Sequence, residues 1–452
     1  MAVSITIGER GTLRPIVISG LVALAAGLGI CAVALPAAKA TSAAPAAASR
    51  PATTISVAGA LHAEHAIAGM RAAVTASPAA APVANNQLID VSCIHANDCL
   101  AVGGNFAGGT AHGNPLAYLW NGSWHATAPK LPSGGTVGVL GSVSCKSDGC
   151  MAVGWYAKGG HDFPLAEHWT GSGWALIPQP PVASGGTSDF LEFVSCATSW
   201  KGCVATGFYV PSSASNGEVA LAEVWNGTSW KAFKPQTPAT PFSNLDAVSC
   251  PNAKFCLAVG GYLASNGGLL LADLWNGTSW KQVPVRQPTP QNGWFNFING
   301  VSCVSSVYCV AVGNTGQLQS NGSLKIAAFS ELHNGQTWSW SLPGVPMPAG
   351  QQSLLLTPAC VSTTFCLAVG GVGPYVNTNN QGHAAVATWN GSKWSVRVLN
   401  PPATEGSLLM GAACVTATNC VATGTVGTFA TNTGRGLSAF WNGTTWTTIN
   451  TA

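Results

Sequence analysis

The stretch VSCPNAKFCLAVG at residues 248–260, followed by WNGTSW at residues 275–280, decides the fold. Its two cysteines flank a short polar segment, and an apolar run ending in Gly follows the second cysteine. Asn-Gly between apolar runs is a strong hairpin signal, because both residues tolerate positive φ. The two segments therefore predict four short strands: one ending at Cys250, one reaching Gly260, one ending at Trp275 and one starting at Trp280.

This unit recurs seven times at intervals of roughly 50 residues, and a repeat of that length is typical of propellers and solenoids. No copy shows a helical period. Seven units of four antiparallel strands predict an all-β chain that forms a seven-bladed β-propeller. The predicted propeller spans residues 85–452, with blades at approximately 85–131, 136–182, 187–235, 241–288, 294–347, 351–402 and 405–452. Every blade is contiguous in sequence, so the ring is expected to close only by packing between blades 1 and 7.

Fourteen cysteines occur as seven pairs, one pair in each copy. Each pair flanks the predicted hairpin between the first two strands, where cross-strand neighbours are about 5 Å apart and within disulfide range. The spacing and the lack of a recurrent His do not fit zinc. The sequence therefore predicts seven disulfides and no metal site. The cysteines are Cys93, Cys99, Cys145, Cys150, Cys196, Cys203, Cys250, Cys256, Cys303, Cys309, Cys360, Cys366, Cys414 and Cys420.

The N-terminal region predicts export. Arg10 and Arg14 precede an apolar run at residues 15–38, and Ala38-Lys39-Ala40 forms a small-x-small cleavage pattern, so residues 1–40 are predicted to be a signal peptide. The alternative is an uncleaved membrane anchor. Residues 41–84 are rich in Ala, Pro, Ser and Thr and predict a flexible linker. We expect a secreted, extracellular protein that could remain at the cell surface.

Composition excludes several function classes. Charged residues make up 7% of the chain and the formal net charge is +3, so the phosphate-neutralising clusters of a nucleic-acid binder are not expected. No phosphate-binding loop or Ser-His-Asp pattern is present, and no cofactor is predicted. The membrane is expected to matter only through an uncleaved anchor.

The repeat resembles the kelch family. The diglycines Gly103-Gly104, Gly260-Gly261 and Gly370-Gly371 match that family's pattern, as do the late tryptophans Trp230, Trp280 and Trp394. The resemblance covers roughly residues 85–452 and implies a propeller fold. It implies no single function, because propellers host many activities.

Acidic residues on the predicted inner strands are the weak catalytic candidates: Asp90, Glu192 and Asp246. Glu192 and Asp246 each lie four residues before a cysteine, in adjacent blades, so their side chains are expected to approach each other at the central channel. Paired carboxylates serve as acid and base or bind a cation. The alternative is that these two are isolated acids solvated in the channel.

Two further groups of side chains are expected to be structural. The third strands carry Glu167, Glu223, Asp273 and Glu331, which should be buried and hydrogen-bonded because a buried carboxylate without a partner is costly. The paired tryptophans recur at fixed positions, as in Trp225 and Trp230, and are expected to pack between blades. A sugar-stacking role for them is the alternative.

Antiparallel connectivity places the strand 2–3 loops and the linkers between blades on one face, which we call the loop face. Aromatic residues predicted there are the ligand-binding candidates: Trp155, Tyr156, Phe208, Tyr209, Tyr262, Trp294, Phe295 and Tyr375. Loops on a repetitive scaffold often carry function. The favoured interpretation is a binding propeller for a carbohydrate, a cell-envelope polymer or a protein partner. The alternatives are a glycoside hydrolase or lyase with acids at the channel, and a structural surface protein.

Overall fold

The computed structural model describes residues 4–5, 55–56, 85–106, 113–212, 217–240, 242–264, 267–287, 294–318, 324–335, 337–340, 351–373, 382–399, 405–428 and 433–450. Within these ranges, seven blades of four antiparallel strands form a propeller. The fold class predicted from the sequence is therefore confirmed.

Strand numbers follow the chain. Outside the propeller, β1 (Ser4–Ile5) pairs with β2 (Ile55–Ser56). Blades 1 to 4 contain β3 (Asn86–His95), β4 (Asp98–Asn105), β5 (Asn114–Trp120), β6 (Trp124–Thr127), β7 (Val137–Lys146), β8 (Gly149–Lys158), β9 (His161–Trp169), β10 (Trp174–Leu176), β11 (Gly186–Cys196), β12 (Cys203–Pro211), β13 (Val219–Trp225), β14 (Trp230–Ala232), β15 (Ser243–Asn252), β16 (Phe255–Ala264), β17 (Gly267–Trp275) and β18 (Trp280–Gln282). Blades 5 to 7 contain β19 (Trp294–Ser305), β20 (Tyr308–Leu318), β21 (Leu324–His333), β22 (Trp338–Trp340), β23 (Gln352–Ser362), β24 (Phe365–Gly373), β25 (His383–Trp389), β26 (Trp394–Val398), β27 (Gly406–Thr416), β28 (Asn419–Thr428), β29 (Thr433–Trp441) and β30 (Trp446–Asn450).

Each blade contains one disulfide between its two innermost strands. All seven predicted pairs are bonded within their own blade, with Cα atoms 3.9–4.1 Å apart. The bonds lie at the face that carries the strand 1–2 hairpins, which we call the hairpin face. The disulfide prediction is confirmed, and bonds of this kind persist in oxidising, extracellular compartments.

The serine of the Val-Ser-Cys motif joins neighbouring blades. Ser195 Oγ accepts a hydrogen bond of 2.9 Å from the backbone N–H of Cys250 in the next blade. The same bond, at 2.9–3.0 Å, links blades 1 and 2, 2 and 3, 4 and 5, and 5 and 6. Blades 6 and 7 have Ala359 and Ala413 at this position, which have no hydroxyl. The serine of this motif thus forms a hydrogen bond between neighbouring blades, and this bond is missing at the two interfaces of blade 7.

We expect Ser195→Ala to lower the free energy of unfolding by about 1 kcal/mol, because it leaves the Cys250 N–H without its acceptor. Urea denaturation measures the loss. Ser172→Ala is the control, since Ser172 lies in an exposed turn of blade 2 and should leave the midpoint unchanged. Equal midpoints for Ser195→Ala and the parent protein would contradict a structural role for this serine.

Blades 1 and 7 close the ring with more than the packing expected from the sequence. A parallel backbone bridge joins Asn85 to Gly434. Trp124 Nε1 donates a hydrogen bond of 3.0 Å to Ser438 Oγ, and the Trp120 and Phe440 ring centroids are 4.3 Å apart. A parallel bridge also links Gly267 to Trp294 between blades 4 and 5. The seam therefore uses the same type of contact as another interface of the ring.

Apart from the short β1–β2 pair, the predicted signal peptide or anchor and the predicted linker lie outside the described residues. They stay predictions. In the described part of the chain, no helix has the length and hydropathy needed to cross a membrane.

Candidate functional site

The centre of the ring is divided into an apolar sector and a polar sector. Val139, Phe190, Leu356 and Met410 belong to one buried apolar cluster, although they come from four different blades. The cluster also includes Phe106 of blade 1, so it runs through the consecutive blades 6, 7, 1, 2 and 3 and lines one side of the ring centre. The polar sector faces it from blades 3 to 5, and its buried inner-strand residues are Glu192, Asn244, Asp246 and Asn299.

The polar sector arises from a β-bulge in each inner strand. The strand pairing skips one residue four positions before the first cysteine of every blade. A bulge redirects the side chain of the extra residue. The seven bulge residues are Ile89, Gly141, Glu192, Asp246, Asn299, Leu356 and Met410. Three consecutive blades therefore place a polar bulge residue beside the channel.

Glu192 and Asp246 meet, as the sequence predicted. They are 5% and 1% exposed, and their carboxyls lie within hydrogen-bond range of each other. Asp246 Oδ1 also accepts a bond of 2.7 Å from Asn244 Nδ2. Burial, the nearby carboxyls and the mutual contact hold the pKa of Glu192 well above its ordinary value. Two carboxyls in contact share a proton, because both cannot ionise at such short range.

Glu218 is a third carboxyl beside this pair, and the sequence interpretation missed it. It immediately precedes β13 and is 9% exposed. Burial raises the pKa of Glu218 to about 7, and its charge in turn raises the pKa values of Glu192 and Asp246. We call Glu192, Asp246 and Glu218 the channel acids.

The channel acids differ from the site of a two-carboxylate glycosidase. Such enzymes hold their carboxyls about 5 Å or more apart, with room for a sugar or a water. Glu192 and Asp246 touch each other and are almost fully buried. Across the described residues, no three His, Cys, Asp or Glu side chains are arranged to hold a metal ion.

Asp90, the third weak catalytic candidate from the inner strands, does not join this group. It lies three residues before its cysteine, one position after the bulge. Asp90 Oδ2 accepts bonds of 2.7 Å from Ser142 Oγ and 3.0 Å from the Val143 N–H, both in blade 2. Burial raises its pKa to about 6 although these bonds oppose the shift. Asp90 therefore ties blade 1 to blade 2.

The third-strand acids are buried, as predicted. Glu167 Oε2 accepts a bond of 2.8 Å from the Lys130 N–H, and Asp273 Oδ2 accepts one of 2.7 Å from the Gln236 N–H. Both donors belong to the linker from the preceding blade. These two acids therefore attach each linker to the next blade.

Glu223 lacks the hydrogen bond expected of it. Neither of its carboxyl oxygens has a donor among the described residues. The donors Lys130 and Gln236 each lie six residues after the last tryptophan of their blade. The equivalent residue in the linker that precedes blade 3, six residues after Trp174, is Pro180. Proline has no N–H, so it cannot donate to Glu223. Burial, and then the charge of Asp189, raise the pKa of Glu223 to about 8. Glu331 is likewise without a donor in the described ranges, and burial raises its pKa to about 8.

The tryptophan pairs are packing residues, as predicted. Trp225 and Trp230 are 2% and 8% exposed, with ring centroids 5.4 Å apart. Trp174 Nε1 reaches the preceding blade and donates a bond of 2.9 Å to Thr127 Oγ1. The rings of the pairs in blades 2, 3, 4 and 6 are buried and not available to stack on a sugar, whereas Trp120, Trp124, Trp441 and Trp446 are half-buried.

Three of the predicted loop aromatics are core residues, which corrects the expectation that they lie on exposed loops. Trp155, Tyr156 and Phe208 are 5%, 8% and 1% exposed. They lie within β8 and β12, because both strands continue for several residues past the repeated Gly. Trp155 and Phe208 join the apolar cluster at the channel.

The other aromatic candidates differ in position. Tyr209 and Tyr262 are half-buried near the loop face. Trp294 and Phe295 lie at the start of β19, but their side chains are outside the described part of the structure, as is all of Tyr375. Binding by these residues stays a prediction.

Comparison with known proteins finds similar solved structures but does not identify a protein family. No protein-family model matches the chain, and no curated protein does. "YCF48 bound to D1 peptide" is 13% identical, covering 79% of this chain and 94% of its own, with a TM-score of 0.42. A fucose-specific lectin from Aleuria aurantia is 10% identical over 68% and 93%, with a TM-score of 0.36.

An ulvan lyase of polysaccharide lyase family PL25 is 8% identical, covering 82% of this chain and 97% of its own, with a TM-score of 0.45. The names of these proteins mention a peptide, fucose and a polysaccharide as their ligands. At such identities and TM-scores the likeness carries no argument about function. The fold assignment therefore rests on the strand topology.

Proposed function

We propose that the chain is an exported β-propeller that binds a ligand through its loop face, and that the ligand is a carbohydrate or a cell-envelope polymer. The observation that carries this proposal is the difference between the two faces of the ring. The hairpin face is built from repeated, self-satisfied turns, whereas the loop face carries connections that differ in length and sequence from blade to blade.

The hairpin face has few hydrogen-bonding side chains that are not already used within its own turns. All seven disulfides lie there, and the Asn-Gly turns use their own side chains. Asn226 Oδ1 accepts bonds of 2.9 Å from the backbone N–H groups of Thr228 and Ser229 and from the Thr228 hydroxyl. Asn276 and Asn442 repeat this arrangement. Variable side chains available to a ligand are therefore concentrated on the loop face.

The chemistry of the loops suits a neutral polar ligand. The segment 374–381, between β24 and β25 in sequence, reads PYVNTNNQ, which combines an aromatic ring with uncharged hydrogen-bonding groups. Tyr and Trp present an apolar body with a polar handle, and amides donate and accept hydrogen bonds, which matches sugar rings and their hydroxyls. The low charge content of 7% supports this class over an anionic polymer such as nucleic acid.

Two finer assignments belong to the same proposal. The signal-like residues 1–40 and the seven disulfides support export and an extracellular or cell-surface location. The first Gly of the diglycine pattern recurs in all seven blades, which supports a divergent kelch-like repeat.

A binding screen tests the proposal. The chain without residues 1–40 is applied to an array of glycans and purified envelope polymers, and soluble products are measured in parallel. We expect saturable binding to at least one polymer without product release, and a loss of at least tenfold in affinity for Tyr262→Ala or Tyr375→Ala. Lys254→Ala, on the exposed hairpin of blade 4, is the control and should bind normally.

Three outcomes would overturn it. Binding to no polymer would remove the carbohydrate assignment, and an equal loss for Lys254→Ala would put the site on the hairpin face. Release of shortened products would show a hydrolase or lyase.

A further inference from the structure

The buried carboxyls are distributed unevenly around the ring. Blade 3 contains four of them, Asp189, Glu192, Glu218 and Glu223, and Asp246 of blade 4 contacts the group. Residues 351–402, which contain blade 6, have no Asp or Glu at all. The ring therefore carries an acid-rich blade and an acid-free blade of the same architecture.

The acids of blade 3 face each other rather than cations. The charged groups that act on Glu192 are Asp246 and Glu218, and the charged group that acts on Glu223 is Asp189. By contrast, Glu167 in blade 2 lies near Lys130, and Glu331 in blade 5 lies near Arg286. Other titratable groups at this end of blade 3 are Tyr209, the cross-strand partner of Asp189, and His161, whose Nδ1 is 3.2 Å from the Thr187 carbonyl oxygen.

Hydrogen-bond donors are also scarce around these acids. Within the described ranges, Glu192 and Glu223 have no donor on either carboxyl oxygen other than a shared proton. Asp189 accepts one bond, from the Ala183 N–H, and Asp246 accepts one, from Asn244. Ionised carboxylates buried without donors or counter-ions repel each other and pay a large desolvation cost.

We propose that blade 3 is a pH-sensitive element of the ring, closed while the channel acids, Asp189 and Glu223 hold protons, and loosened when these groups ionise. Glu218 immediately precedes β13, at the end of blade 3 that borders the loop face. Loosening therefore changes one sector of the loop face while the disulfide keeps the hairpin end of the blade closed.

The direction of the pH effect follows from linkage. Burial raises the pKa of Glu218 to about 7 and of Glu223 to about 8, whereas the ordinary value for both is 4.5. Closed blade 3 therefore binds more protons than the open state between about pH 4.5 and 8. The stabilisation is fully present below pH 4.5 and is lost as pH rises through the raised values.

Hydrogen exchange at pH 5 and pH 9 tests this proposal, with rates corrected for the intrinsic effect of pH. Peptides from β11 and β13 report on blade 3, and peptides from β23 and β25 report on acid-free blade 6. We expect the protection of blade 3 relative to blade 6 to fall at least tenfold at pH 9. The double variant Glu218→Gln/Glu223→Gln should lose most of this fall.

Asp98→Asn is the matched control, because it removes one carboxyl from the hairpin of blade 1 and should keep the parent's pH response. If the double variant does not fold, the single variant Glu218→Gln should show a measurably smaller loss of blade 3 protection between pH 5 and pH 9 than the parent protein. The proposal would be overturned if the ratio of hydrogen-exchange protection in blade 3 to that in blade 6 were the same at pH 5 and pH 9. It would also be overturned if the folded double variant, which lacks the Glu218 and Glu223 carboxyls, lost as much blade 3 protection at pH 9 as the parent protein.

Discussion

Reduction of the seven disulfides is expected to destabilise the propeller more than any single substitution. Each bond closes a small loop, with its cysteines five to seven positions apart in sequence. The chain-entropy model gives about 2 kcal/mol for a loop of this size, although seven such contributions do not simply add. The bonds fix the register of the two innermost strands, on which all packing at the ring centre depends.

Guanidinium denaturation with and without a phosphine reductant measures this effect. We expect the reduced, alkylated protein to unfold at a much lower denaturant concentration. The variant Cys303→Ser/Cys309→Ser, which removes one bond, should lose about 2 kcal/mol. A sample treated with the alkylating reagent alone controls for modification and should match the parent. Superimposable curves for oxidised and reduced protein would show that the disulfides do not support the fold.

Gly260→Ala is expected to be strongly destabilising, like Ala at the equivalent glycine of any other blade. Gly260 lies opposite the bulge of β15, where a Cβ would overlap the Asn244 carbonyl oxygen and lie 3.0 Å from the Asp246 backbone nitrogen. The neighbours are backbone atoms of the inner strand and cannot turn aside. Overpacking of this kind costs about 3 kcal/mol when the surroundings are rigid.

Gly261→Ala is the matched control, one residue further along β16. A Cβ there would meet the Phe297 ring at 3.3 Å, so a small shift of one side chain accommodates it. We expect Gly261→Ala to cost less than about 1 kcal/mol and Gly260→Ala about three times as much, by urea denaturation. Equal costs would contradict the close approach at the bulge.

These two glycines show why the sequence predicted the fold so well. Asn-Gly turns, alternating strands and paired cysteines act locally, and their repetition at a fixed period makes the seven-bladed ring the only simple arrangement. The first Gly of the diglycine recurs in all seven blades because of the bulge beside it. The second varies, since its side chain position faces the neighbouring blade, and Trp155 and Phe208 replace Gly there in blades 2 and 3.

The candidate site was less predictable because it depends on single-residue shifts. Asp90 and Glu192 both belong to inner strands, but Glu192 is the bulge residue of its strand and lies at the channel, whereas Asp90 follows the bulge of its strand and bonds to the next blade. Glu218 has an acidic counterpart only in blade 2, where Asp162 also lies seven residues before the tryptophan that ends the third strand, and its effect on Asp246 is an electrostatic interaction between blades. The serine of Val-Ser-Cys was visible as a motif, but its acceptor role requires knowledge of the neighbouring blade.

Non-reducing peptide mapping of the purified protein without residues 1–40 tests the central claim most directly. A ring of seven independent, self-closed blades requires every disulfide to join the two cysteines of one blade. We predict seven linked peptides, each containing one pair such as Cys93 with Cys99 or Cys360 with Cys366, and no free thiol. A linked peptide that joins cysteines of two different blades, or a fully alkylated chain without prior reduction, would contradict this architecture.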